Sequence, residues 1–116
     1  MSYFTRLEVE WDDSAEKKVV DMDRIVQAAA DYVAQRGWNT DVLEDLRKAL
    51  EGPHHDGIGF NKMYSEYIED LLLAISRAFP NTTFLARGAG EELLDVWIRE
   101  VKNGAVAGSQ GPFKTL

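Results

Sequence analysis

Between Tyr3 and Trp11 the chain alternates residue by residue. Tyr3, Thr5, Leu7, Val9 and Trp11 fall on one side, and Arg6, Glu8, Glu10 and Asp12 on the other. Successive side chains of a strand point to opposite faces, so this segment predicts a half-buried β-strand. Asp12-Asp13-Ser14 breaks it.

The period then changes. Asp21 is placed to cap a helix over residues 22–36, whose apolar positions Met22, Ile25, Val26, Ala29, Tyr32 and Val33 follow helical spacing. Gly37 is the expected stop, because glycine accepts the left-handed conformation that closes a helix. Thr40 is expected to cap a shorter helix with Asp41 and Glu44 near the positive end of its dipole. Leu43, Leu46, Ala49 and Leu50 would line its buried side, and Gly52-Pro53 would end it. Residues 52–60 read as a glycine-rich loop. Asn61 is then expected to cap a third helix reaching Phe79. Its stripe runs through Tyr64, Tyr67, Ile68, Leu71, Leu72, Ile75, Ala78 and Phe79, and Pro80 terminates it.

After Pro80 the period of two returns. Residues 82–87 and 92–101 read as strands, with Gly88-Ala89-Gly90 as the turn between them. Lys102-Asn103-Gly104 supplies the Asn-Gly pair that favours a tight hairpin, since both residues tolerate positive φ. Ala105 to Ala107 begin a return strand. Residues 108–116 read as an edge extension or a loose tail. The expected order is β-α-α-α-β-β-β in one domain over residues 1–116. The fold class is α+β, a mostly antiparallel sheet of about four strands with helices covering one face. The first strand is expected to join the late ones, with residues 92–101 in the same sheet and the third helix crossing it.

Composition narrows the function. Twenty acidic residues against thirteen basic ones give a formal net charge of −7 over 116 residues. Such a field repels phosphate backbones and argues against direct nucleic-acid binding. It attracts basic protein surfaces and speeds encounter with them. The chain has no cysteine, which removes disulfides, thiolate nucleophiles and cysteine-based zinc sites. It shows no signal-peptide pattern and no apolar run near about 18 residues. A cytoplasmic protein without membrane contact is therefore expected.

The candidate chemistry is sparse. His54, His55 and Asp56 form the only histidine cluster, but a zinc site wants three or four ligands and the chain has two histidines. The Gly88-Ala89-Gly90 turn lacks the third glycine and following helix of a dinucleotide fingerprint, and Glu91 and Glu92 would repel a phosphate. Glu91, Glu92 and Asp95 match neither a glycosidase carboxylate pair nor a calcium loop. No serine, threonine or lysine stands beside a plausible base. The expectation is therefore no catalytic residue, no metal and no cofactor. Trp11 and Trp97 are expected under the helices. Trp38, just past the Gly37 stop, either staples two helices or stands exposed as an interface anchor.

The opening MSYFTRLEVEW and the segment GEELLDVWIREVKNGAV, residues 90–106, resemble parts of small proteins from bacteriophages and actinobacteria. In those, an acidic turn leads into a Trp-containing strand and a hairpin. The resemblance covers about a quarter of the chain and implies an origin in a phage or mobile element. It transfers no functional residue. Two readings follow. The first is a non-enzymatic acidic module that binds a basic surface of a host protein and inhibits or redirects it, as nucleic-acid mimics, anti-CRISPR, anti-restriction and immunity proteins do. Its expected contact residues are Glu8, Glu10, Asp12, Trp38, Glu91, Glu92 and Asp95. The second is a small enzyme or metal-binding protein using the His54–Asp56 loop.

Overall fold

A computed structural model describes residues 4–51, 58–61 and 63–112. Strand β1 (Phe4–Asp12) is followed by helices α1 (Met22–Arg36) and α2 (Asp41–Leu50). Strand β2 (Ile58–Asn61) and helix α3 (Ser65–Ala78) come next. Strands β3 (Thr83–Ala89), β4 (Val96–Lys102) and β5 (Ala105–Gln110) complete the order. This is the expected α+β architecture with one strand more than the pattern suggested.

The five strands form one sheet in the order β2-β1-β3-β4-β5, and every neighbouring pair is antiparallel. The first strand shares the sheet with the late strands as expected. It pairs with β3, so β4 is its second neighbour. Strand β2 was hidden because Ile58-Gly59-Phe60-Asn61 is too short to show a period and sits in a glycine-rich context. It adds to the outer edge of β1, with Thr5 opposite Phe60 and Leu7 opposite Ile58.

One face of the sheet carries the core. Thr5, Leu7 and Val9 of β1, Phe84 and Ala86 of β3, and Trp97 and Val101 of β4 are buried there. Helices α2 and α3 lie against the sheet, and α1 packs on both of them. Ile25, Ala29 and Val33 of α1, Leu46 and Ala49 of α2, and Ile68, Leu71, Leu72 and Ile75 of α3 close the core. Two buried hydroxyls are paired into it. The Thr5 hydroxyl donates to the Met63 carbonyl. Ser76 donates to the Leu73 carbonyl at 2.9 Å and accepts from the Gly104 amide at 2.7 Å, which fastens the β4–β5 turn to α3.

Local chemistry explains the element ends. The Asp21 carboxylate accepts the Arg24 amide at 2.8 Å, and Gly37 closes α1 at φ 68°. At α2 the expected cap is corrected. Thr40 makes no side-chain capping bond, and Asn39 Oδ1 accepts the Asp41 amide at 2.9 Å instead. Its buried row is Val42, Leu46, Ala49 and Leu50, with Leu43 only partly buried. Asn61 belongs to β2, so it does not cap α3. Tyr64 precedes the first turn of α3 with an extended backbone and is exposed, so the helical stripe does not carry it inward. Asn103 and Gly104 take φ values of 50° and 76°, which fits the expected hairpin turn.

The β3–β4 connection departs most from expectation. Gly88 is a buried strand residue, and residues 91–95 form the turn, so β4 starts only at Val96. Neither Gly88 nor Gly90 has positive φ. Gly88 is needed for a different reason. It faces Trp97 across the β3–β4 pair, and a Cβ there would lie 2.1 Å from the indole ring. Among the described residues, no helix is long and apolar enough to cross a membrane.

Candidate functional site

The seven expected contact residues fall into three separate places. Glu8, Glu10 and Asp12 lie on the uncovered face of the sheet, because they alternate with the buried Leu7 and Val9. Arg87 of β3 stands among them, 3.0 Å from Glu8 and 3.9 Å from Glu10. Asp12 lies near the far end of the β1–β3 pair, opposite Thr83. The Ser14 amide donates to its carboxylate at 2.9 Å, and hydrogen bonds from Ser14 hold its pKa below the usual aspartate value. The acids of β1 are therefore partly neutralised or already engaged.

Trp38 is the second place. The helix stop at Gly37 turns the chain so that the Trp38 amide bonds back to the Val33 carbonyl at 3.0 Å. Its ring then meets Tyr32 of α1 edge-on at 5.5 Å and Tyr67 of α3 at 5.9 Å, with the Arg36 guanidinium 5.5 Å from its centroid. Trp38 is half-buried and staples α1 to α3. Tyr64 continues the aromatic row at 5.6 Å from Tyr67.

The third place is a pocket of about 270 Å³ between the start of α3 and the β3–β4 turn. Glu92 and Asp95 line it from the turn, Glu66 and Glu69 from α3, and Trp97 and Arg99 from the covered side of β4. Glu91 is exposed on the same turn. The turn is tied down at both ends. The Gly90 amide donates to the Asp95 carbonyl at 2.7 Å, and the Ser65 hydroxyl donates to the Asp95 carboxylate at 2.9 Å. Leu93, at the turn's apex, is 91% exposed. Glu92 and Asp95 of the turn therefore lie on the covered side of the sheet, and the acids of β1 on the other.

Arg99 is the cation of this pocket. It occupies an inward position of β4 between Trp97 and Val101, and its side chain keeps 10% of its exposure. Its Nε bonds Glu69 at 3.0 Å. One terminal nitrogen donates to the carbonyls of Ile98 and Gln110, and the guanidinium lies 5.7 Å from the Trp97 ring centroid. A buried guanidinium is tolerable only when paired in this way. The signal for it was present in the sequence. In WIREV the alternation that buries Trp97 and Val101 also turns Arg99 inward, which requires an acid from the covering helix.

The chemistry of the pocket is electrostatic. Four carboxylates surround it, and its single guanidinium is already committed. The Ser65–Asp95 pair has no histidine beside it among the described residues, and its bond holds the turn to α3. Among the described residues, no three His, Cys, Asp or Glu side chains converge closely enough to hold a metal ion. The His54–Asp56 loop lies outside the described residues. No protein-family model matches the chain, and no curated protein or solved structure shows detectable similarity to it.

Proposed function

We propose that this chain is a small, non-enzymatic acidic module that docks on a basic surface of another protein and thereby inhibits or redirects it. A phage-encoded protein acting in the cytoplasm of its host suits this reading. The observation that carries it is the convergence of the β3–β4 turn and the first turn of α3, which sets an excess of carboxylates around one open pocket. Exposed Leu93 and Tyr64 beside it add apolar contact, as interface anchors do within a polar rim. The overall charge of −7 adds long-range attraction to a basic partner.

The test begins with affinity capture from a bacterial lysate and identification of what is retained. Association with a captured basic partner should slow about tenfold or more as salt rises, because screening removes steering. Glu91→Gln with Glu92→Gln should slow it further at low salt. The same treatment of Glu8 and Glu10 should do less, since Arg87 already offsets them. Association that ignores both salt and the turn substitutions would rule out acidic docking and direct attention to Leu93.

A further inference from the structure

Strand β5 forms one end of the sheet, so among the described residues no strand pairs with its outer edge. The backbone N–H and C=O groups along such an edge are matched by another extended chain. Natural edge strands are guarded by charge, proline or short length. Strand β5 lacks all three. It spans six residues against four in β2 at the other edge, and it holds neither a charged residue nor a proline. All its residues are exposed except Gly108, which is half-buried.

Two further observations point to the same edge. Three of the six large apolar side chains exposed among the described residues belong to the last two strands. Val96 and Ile98 lie on the uncovered face, and Val106 faces Val101 on the covered one. From Asn103 to Phe113 the sequence carries no charge, its longest such stretch, in a chain that is 28% charged. Two copies that each carry −7 repel one another, and along this strip they can meet without opposing like charges.

The strand is also complementary to itself, as a two-fold contact requires. Glu100 faces Gly108 and Val101 faces Val106, so Ala107 is a bulge. Bulges can blunt an edge, but this one resets the alternation. Ala105 and Gln110 share the uncovered face, and Val106 and Ser109 the covered one. Antiparallel self-pairing over the whole strand sets Ala105 opposite Gln110 of the second copy, Val106 opposite Ser109, and Ala107 opposite Gly108. Directly opposed residues share a face. Without the bulge, this register would set inward residues against outward ones.

We propose that β5 pairs antiparallel with β5 of a second copy about a two-fold axis, joining their sheets edge to edge into one. The contact is independent of the docking function above, and salt separates the two. Screening weakens docking on a basic partner but strengthens association between like-charged copies.

The experiment is sedimentation equilibrium of the full chain from micromolar to millimolar concentration, at low and high salt. The average mass should rise from one chain towards two, and high salt should tighten the association by about threefold or more. Ala107→Asp changes an exposed side chain, so the fold is retained, and it places two carboxylates beside the axis. It should weaken the dimer by about threefold or more. The register is read with Val106→Cys plus Ser109→Cys, in a chain otherwise without cysteine. Within one copy these positions lie ~10 Å apart along the strand, beyond disulfide reach. Mild oxidation should link two copies covalently, at least about tenfold faster than in Ala105→Cys plus Ser109→Cys, whose cysteines point to opposite faces. A chain that stays monomeric at millimolar concentration in high salt overturns the proposal and leaves the edge to a strand of another protein. Association that is weakened by salt, indifferent to Ala107→Asp, or cross-linked equally by both cysteine pairs also overturns it.

Discussion

Gly88 has no side chain, and the indole of Trp97 fills the space where one would be. Alanine there would place a Cβ 2.1 Å from the ring, far inside contact distance, with the ring held in the core. Gly88→Ala should therefore cost about 1–3 kcal/mol, the usual range for overpacking, and should shift the Trp97 indole resonance. A melt unchanged from the native protein would show that the ring is free to move. Asp45 of α2 gives a residue-scale prediction of opposite sign. Desolvation by burial raises its pKa, nearby Lys48 lowers it, and Asp41 and Glu44 push it up further. A carboxylate whose folded pKa is raised favours folding in its protonated form, and that advantage is lost as pH rises through the folded pKa. Asp45→Asn should raise the melting temperature at pH 7, and the gain should vanish as pH falls below the ordinary aspartate value of 3.8. A gain that persists in acid would place its cause outside this carboxylate.

At the scale of elements, α3 holds the structure together. Its Ile68–Leu71–Leu72–Ile75 row is buried, Ser76 accepts from the β4–β5 turn, and Glu69 pairs with Arg99 from the sheet. Leu72→Ala should destabilise by about 2–5 kcal/mol, the range for a fully buried leucine, and a loss below roughly 0.5 kcal/mol would displace α3 from the core. The helix was plain in the sequence because its apolar period spans three turns. Its beginning was not. Asn61 has the chemistry of a cap, yet Phe60 beside it is fully buried, and pairing with β1 takes the segment into the sheet. The same kind of local ambiguity misplaced the start of β4. Residues 92–95 read as the start of the strand, but Glu92-Leu93-Leu94-Asp95 does not alternate, and the Gly90–Asp95 bond closes a turn there.

At the scale of the molecule, the covering of only one sheet face divides its charges. Glu8, Glu10 and Asp12 lie on one face, and Glu92 and Asp95 line a pocket on the other. Those on β1 share their side of the sheet with Arg87, while those of the turn join Glu66 and Glu69 from a helix some two dozen residues earlier. The docking proposed for this protein therefore rests on the turn and α3 more than on overall composition. The sequence by itself determined the α+β class, the three helices, the Asn-Gly hairpin, the strong acidity and the inward turn of Trp97. Each of these rests on periodicity, short-range backbone chemistry or a count of charges. Only the tertiary structure decided that β2 completes the sheet, that Trp38 is a staple between helices, and that four carboxylates and a paired arginine meet at one pocket. Those outcomes depend on which distant segments the sheet and α3 bring together, and no local pattern carries that information.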